Sequence, residues 1–231
     1  MIRSGSSLVL TAAGASNLGG QRVNEDAYRS DDELGLLGIA DGMTTRPAAH
    51  VAAETAVRAL FEYLTDPNTT SPANPREWIE RAIGHINQHM REDGERNAKR
   101  LGMAAAFACA MQQDKLLVVG HVGDSRVMRF RNGELERLTA DHRRDGKLTR
   151  AIGLAEREVG DVSVEVLRAE DGVLLTTAGL TNVLDADTIA SILRRVRSPR
   201  ATVDELINAA LRRGAPQNLT CVYGRWRSRA L

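Results

Sequence analysis

The sequence lacks a long apolar run and has no excess of charge of one sign. None of its 231 residues belongs to a stretch of about 18 apolar residues, the length that a membrane-spanning helix needs. The formal net charge of +1 argues against the basic excess typical of nucleic-acid-binding proteins. Residues 1–10 are too short an apolar segment for a signal peptide. We therefore expect a cytoplasmic protein that binds neither nucleic acid nor a membrane.

Cysteine is scarce, and low-complexity segments and repeats are absent. Cys109 and Cys221 each lie inside an apolar, strand-like run, which favours two reduced, buried thiols over a disulfide. The turn-rich stretch 66–75 is too short to be a domain linker. Hydrophobic residues make up 42% and charged residues 26%, as in ordinary globular proteins. We predict a single domain over residues 1–231, with its core at about 8–226.

Hydrophobic periodicity predicts strands first, then two helices, a run of strands, two more helices and a last strand. This order favours antiparallel sheets with helices packed outside them, an α+β class. The predicted helices are 48–64, 76–96, 186–196 and 203–212. The predicted strands are 8–15, 34–40, 103–111, 116–122, 125–130, 134–138, 162–166, 173–177 and 218–223.

Several carboxylates lie at the ends of these apolar strands. Glu25 and Asp26 follow a glycine-rich turn, Asp41 ends one strand, and Asp124 lies between two others. Mg²⁺ and Mn²⁺ prefer oxygen ligands, and carboxylates from separate strand ends can converge on one ion. Taken singly, each of these segments is more often a turn than a ligand.

Taken together and in this order, the segments resemble the motifs of the protein phosphatase 2C (PPM-type) family of metal-dependent serine/threonine phosphatases. The resemblance covers about residues 10–226. It implies an α-β-β-α sandwich of two stacked antiparallel sheets flanked by helices. The matching segments are 20–27, 39–43, 119–126, 138–142, 148–153, 174–181 and 217–220.

The resemblance also implies a two-metal centre between the sheets, where a metal-bound water would attack a phosphate ester. Asp41 would bridge the two ions, and Arg22 would hold the phosphate by paired hydrogen bonds. The implied metal ligands are Glu25, Asp26, Asp41, the Gly42 carbonyl and, for a third and weaker ion, Asp124.

The chain departs from the family pattern at the metal ligands. Ala178 and Gln217 replace two aspartates that hold one of the two principal ions, and Asn182 replaces a frequent acid of the third site. Alanine supplies no oxygen, and the glutamine amide is a poorer ligand for a hard dication than a carboxylate. We expect at most one weakly bound Mg²⁺ or Mn²⁺ ion, or none.

Two further departures lie in loops beside this site. Thr44 and Thr45 stand where the family usually has two glycines that let the backbone run close to the metals. Only five residues, 143–147, replace a longer flap, so we expect the flap to be reduced and the site open.

The combined losses favour a pseudophosphatase, a phosphatase-like domain without catalysis that binds a phosphoprotein, a kinase or another signalling partner. Two alternatives stay open. One is an active Mg²⁺- or Mn²⁺-dependent serine/threonine phosphatase with an altered metal site, supported by the retained Arg22, Asp26, Asp41 and Asp124. The other is a non-catalytic assembly domain.

Overall fold

A computed structural model describes residues 8–70, 72–196 and 198–229, and two five-stranded antiparallel sheets form its centre. The first sheet has the order β1 (Leu8–Asn17), β12 (Leu219–Ser228), β11 (Gly172–Thr176), β6 (Arg126–Arg131), β7 (Glu134–Arg137). The second has the order β10 (Asp161–Val166), β5 (Leu116–Val122), β4 (Ala105–Gln113), β3 (Leu36–Gly42), β2 (Asp26–Asp31).

The helices of the described residues are α1 (Ala49–Thr65), α2 (Pro75–Arg96), α3 (Ala178–Thr181), α4 (Ala186–Arg195) and α5 (Pro199–Arg212). A short hairpin of β8 (Arg143–Arg144) and β9 (Lys147–Leu148) forms a separate two-stranded sheet. Its turn residues Asp145 and Gly146 both have positive φ, as a tight two-residue hairpin requires.

Three apolar cores divide the molecule into layers. The innermost core lies between the sheets and contains Leu37 and Ile39 of β3 together with Val222 and Trp226 of β12. A second core joins α1 and α2 to the outer face of the β2–β10 sheet. A third joins α4 and α5 to the outer face of the other sheet. The predicted α-β-β-α sandwich is therefore confirmed.

The pattern of apolar residues located most elements but missed the polar ones. Strand β2 was not predicted because its sequence is polar and it lies at a sheet edge, with its side chains partly exposed. The β8–β9 hairpin and the one-turn helix α3 also lack an apolar period. Strand β12 runs to Ser228, beyond the predicted end at residue 223, because its whole length pairs with β1.

Helix α5 begins earlier than predicted. Pro199 occupies its first turn, where proline is well tolerated, and the Thr202 hydroxyl donates to the Ser198 carbonyl at 2.9 Å. Within the described ranges, no helix combines the length and the apolar character needed to cross a bilayer.

A nearly buried ion pair ties β6 to the turn before β11. Arg131 donates from Nε to Asp171 Oδ1 at 2.7 Å and from Nη2 to Oδ2 at 2.6 Å. The Asp171 side chain is only 1% exposed, and it also accepts from the Arg168 amide at 2.7 Å. Removing the guanidinium would therefore leave a buried carboxylate without its counter-charge.

We predict that Arg131→Met lowers the free energy of unfolding by about 3 kcal/mol, because breaking one side of a buried ion pair costs far more than losing a surface pair. Urea unfolding followed by circular dichroism measures this change. Arg58→Met is the matched control, since its pair with Glu62 at 3.2 Å is exposed on α1 and should contribute about 0.5 kcal/mol or less. Equal losses in the two variants would contradict the prediction.

Candidate functional site

Two carboxylates face each other between the sheets. Asp26 is the direct cross-strand partner of Asp41, so the two side chains lie on one face of the sheet. Leu37, Ile39 and Asp41 are two residues apart in β3, so their side chains share one face, and that face lies in the core between the sheets. The register of β2 on β3 thus forces two acidic groups together in a poorly solvated place.

The surroundings of Asp26 leave one of its oxygens without a partner. The Thr177 hydroxyl, at the end of β11 in the opposite sheet, donates to Asp26 Oδ2 at 2.9 Å. Oδ1 is buried and has no hydrogen-bond partner among the described residues. A buried acceptor that is left unpaired is costly unless a cation or a proton satisfies it.

Both carboxyl groups hold their protons more tightly than usual. Burial raises the pKa of Asp26 to about 6, although hydrogen bonds with Thr220 and Thr177 oppose the shift. Burial, followed by the negative charges of Asp26 and Asp124, raises the pKa of Asp41 well above its usual range. These shifts mark a site with uncompensated negative charge, the condition under which a cation binds.

Glu25 lies beside this pair, but its carboxylate already accepts a hydrogen bond. Its carbonyl oxygen accepts from the Gly42 amide at 2.8 Å, which fixes the loop before β2 against the end of β3. The Thr44 hydroxyl donates to Glu25 Oε2 at 2.6 Å. Thr44, which replaces a family glycine, therefore engages a carboxylate that the resemblance assigns to a metal.

Asp124 is neutralised by an arginine. It follows Gly123, whose positive φ turns the chain between β5 and β6, and it is 5% exposed. Arg143 of the β8–β9 hairpin forms an ion pair with its carboxylate. The expected reduced flap is present as this hairpin, but it does not leave Asp124 open, because Arg143 covers it.

The positions of the missing carboxylates hold neutral groups. Ala178 begins α3 and contributes only a methyl group. Asn182 Nδ2 donates to Gln217 Oε1 at 2.8 Å, so the replacements at two acidic positions satisfy each other. This side of the site supplies no negative charge.

Part of this set lines one cavity of about 480 Å³. Asp41, Gly42 and Asp124 line it, so the structure brings these predicted ligands together. Glu25 and Asp26 lie immediately beside them. Arg22 is exposed, does not line this cavity, and makes no hydrogen bond or ion pair within the described parts of the chain. Its implied role in holding phosphate stays a prediction. The cavity-lining residues are Asp41, Gly42, Met43, Thr44, Thr45, Arg46, Ala106, Asp124, Arg143, Gly146, Lys147, Leu148, Ala178 and Gln217.

The donor set fits one dication better than two. The unpaired Asp26 Oδ1 and the raised pKa of Asp41 favour one ion held by these carboxylates and the Gly42 carbonyl. A second ion would have Asp41 but neither of the two aspartates that the resemblance places opposite it. The residues present therefore do not fit a full two-metal centre.

Asn218 is a positioning residue that the sequence did not identify. Its Oδ1 accepts from the Glu25 amide at 2.9 Å, and its Nδ2 donates to the carbonyls of Leu18 and Val23, each at 3.0 Å. One buried side chain thus fixes the whole loop that carries Arg22 and Glu25. Its place in segment 217–220 was the available signal, but its contacts are almost 200 residues away in sequence.

A second cluster of possible metal ligands lies near the hairpin. The ligand atoms of His121, His142 and Asp161 lie within 4.8 Å of one another. His142 Nδ1 accepts from the Gly123 amide at 3.0 Å, which assigns the proton of the neutral ring to Nε2, 3.1 Å from Asp161. Arg150 donates to Asp161 Oδ1 at 2.6 Å. A guanidinium therefore already supplies the positive charge at this cluster.

Comparison with known proteins agrees with the fold and the ordered motifs. The sequence profile of the family described as Protein phosphatase 2C matches residues 13–219, and the chain belongs to this family. Serine/threonine phosphatase stp of Listeria welshimeri is 28% identical over 221 residues, covering 85% of this chain and 88% of that protein. Protein phosphatase PhpP of Streptococcus pneumoniae is 26% identical over 229 residues, covering 89% and 93% respectively.

A solved structure adds the metal content of a relative. The catalytic domain of the serine threonine protein phosphatase PstP, in complex with two manganese ions, superposes with a TM-score of 0.84 at 26% identity. The match covers 95% of this chain and 99% of that one. All three relatives are thus phosphatases by name, stp and PstP are named serine/threonine phosphatases, and the PstP structure holds manganese.

We predict that Asn218→Ala lowers the free energy of unfolding by about 2 kcal/mol, since a buried side chain with three hydrogen bonds is removed. Amide hydrogen exchange at Glu25 should also accelerate. Asn68→Ala is the control, because Asn68 bonds only Asp66 in an exposed loop. Unchanged exchange at Glu25 would show that Asn218 does not fix this loop.

The ion pair between Arg150 and Glu158 predicts a pH dependence. Burial raises the pKa of Glu158, but hydrogen bonds from Arg150 and the Gly160 amide outweigh it, and the net pKa lies below its usual range. A lowered folded-state pKa gives stability above the unfolded-state pKa of about 4.3, and this stability is lost as the pH falls through the folded-state value.

We therefore predict that native protein is more stable to urea than Glu158→Gln at about pH 6, and that this difference shrinks towards pH 3. Urea midpoints measured at several pH values test it. A difference that stays constant over this range would contradict the assignment.

Proposed function

We propose that the chain is a protein phosphatase 2C domain that has lost two-metal turnover and binds a phosphoprotein, a kinase or another signalling protein. The observation that carries this proposal is the replacement of two metal-binding carboxylates by Ala178 and Gln217, with Gln217 hydrogen-bonded to Asn182. A protein partner, rather than nucleic acid or a membrane, accords with the balanced charge of the chain.

The charge of the site supports the loss of turnover. Two dications bring four positive charges into a confined space, and confined charge must be balanced by nearby opposite charge. Asp124 is already paired with Arg143, and Glu25 is engaged by Thr44. The carboxylates left without a cationic partner among the described residues are Glu25, Asp26 and Asp41, and their three negative charges do not balance the four positive charges of two ions. This supports at most one weakly held Mg²⁺ or Mn²⁺ ion.

The retained residues would act as follows with one ion bound. Asp26, Asp41 and the Gly42 carbonyl would hold it, and the ion would supply a positive charge that attracts and polarises a phosphate. Thr177 orients Asp26 by its hydrogen bond, and Asn218 fixes the loop of Glu25. These contacts keep the site ordered for binding.

Catalysis is the second candidate, and the comparisons favour it. The similar proteins are phosphatases by name, and the PstP structure holds two manganese ions. In this chain Asp41, Gly42 and Asp124 still converge on one cavity. An active Mg²⁺- or Mn²⁺-dependent serine/threonine phosphatase would then need other groups, such as the Gln217 amide oxygen or waters, to complete the second ion's ligands.

We predict that calorimetric titration with Mn²⁺ shows no more than one site, with a dissociation constant weaker than about 100 μM, and that Asp41→Ala abolishes it. Hydrolysis of a phosphothreonine peptide, measured in the same samples, should not exceed that of Asp41→Ala. Tight binding of two ions with turnover, both lost in Asp41→Ala, would establish the catalytic candidate instead.

Restoring the missing carboxylates provides the complementary test. The double variant Ala178→Asp, Gln217→Asp should bind Mn²⁺ at least about tenfold more tightly than the native chain, since carboxylate count governs affinity for hard dications. Ala178→Asn, Gln217→Asn is the uncharged control. No gain in the aspartate variant would mean that these two positions do not limit metal binding.

A further inference from the structure

The cavity that contains Asp41 is lined by three cations as well as by acids. Arg46 follows the Asp41 loop, and Arg143 and Lys147 come from the β8–β9 hairpin. All three side chains are exposed on the cavity side of the molecule. The site that the resemblance assigns to metal cations is thus bordered by fixed positive charge.

Two of these cations are available for a ligand. Arg143 is engaged by Asp124 and by the Gly146 carbonyl. The side chains of Arg46 and Lys147 make no hydrogen bond or ion pair within residues 8–70, 72–196 and 198–229. Unpaired cations that share one concave site favour an anion there.

The backbone holds both cations in place. The Arg46 amide donates to the Met43 carbonyl at 2.8 Å, closing a turn just before α1. Lys147 lies next to the tight Asp145–Gly146 turn, and its backbone is the cross-strand partner of Arg144 in the hairpin. Helix α1 starts at Ala49 with no acidic residue in its first turn, so nothing in that turn opposes positive potential near this loop.

The negative charge of the cavity is smaller than its acids suggest. Its lining contains two carboxylates, Asp41 and Asp124, and Asp124 is already matched by Arg143. Ala178 and Gln217 add no charge. Arg46 and Lys147 therefore outnumber Asp41, the one carboxylate among the lining residues that has no ion pair within the described parts of the chain.

We propose that Arg46 and Lys147, with Arg143 held by Asp124, bind the phosphate of a phosphoserine or phosphothreonine side chain directly, without a metal ion. This inference rests on the proposed function and names its ligand. A guanidinium binds phosphate by two parallel hydrogen bonds, and a lysine ammonium adds a point charge. The cavity volume of about 480 Å³ lies within the range of about 300–1,000 Å³ common for small-ligand sites.

The test is binding of a fluorescent phosphothreonine peptide to the whole chain in EDTA, measured by anisotropy, with the unphosphorylated peptide as reference. Inorganic phosphate is the competitor. Arg46→Gln and Lys147→Gln should each weaken binding about tenfold, because each removes a charge-assisted contact. Arg144→Gln is the matched control, since Arg144 is exposed on the same hairpin but does not line the cavity. It should stay within about twofold.

Three results would overturn the inference, and they differ in what they leave standing. Metal-free binding that is lost in Arg22→Gln but kept in Arg46→Gln and Lys147→Gln would move the phosphate to Arg22 and retain the binding function. Binding that requires Mn²⁺ would replace the cationic site by a metal. Absence of phosphopeptide binding both with and without Mn²⁺ would overturn this inference and the phosphoprotein part of the proposed function together.

Discussion

The pairing of β2 with β3 brings together two buried carboxyl groups, and the rest of the site depends on how their charge is stabilised. It places Asp26 and Asp41 directly opposite each other, on the face that lies between the two sheets. Burial raises the pKa of both groups, and one oxygen of Asp26 has no hydrogen-bond partner among the described residues. In water such a pair would separate or take up a proton, but the ladder of backbone hydrogen bonds holds it together. Either a bound cation or a shared proton would stabilise the two carboxyl groups at this distance. The charges and hydrogen bonds of the neighbouring residues determine which of the two is favoured.

In this chain the neighbours satisfy one another. The Thr44 hydroxyl bonds Glu25, Arg143 pairs with Asp124, and Asn182 bonds Gln217. Each of these contacts involves a residue at a position that the family resemblance assigns to a metal ligand. Internal hydrogen bonds and the charge of Arg143 therefore stabilise groups that would otherwise attract cations. We propose that these contacts keep the fold ordered with fewer ions than the two manganese ions in the PstP structure.

Much of this could be predicted from the sequence, because apolar periodicity marks buried strands and helices directly. The α+β class follows from this periodicity, whereas the convergence of Asp41, Gly42 and Asp124 follows from the resemblance of the ordered motifs to the protein phosphatase 2C family. What escaped prediction depends on contacts between distant polar residues. Strand β2 is a polar edge strand, the Asn218 contacts span almost the whole chain, and the Arg143–Asp124 pair depends on how a short hairpin folds back. The roles of Arg22 and of the protein partner stay predictions.

Electron paramagnetic resonance of the native chain titrated with Mn²⁺ tests the central claim most directly, because it distinguishes isolated from paired ions. The account predicts a single magnetically isolated Mn²⁺ population at saturation, or no bound ion at all. A spin-coupled Mn²⁺ pair in the native chain would contradict it, since that signal requires two ions close together in the centre that Ala178 and Gln217 are argued to have disabled.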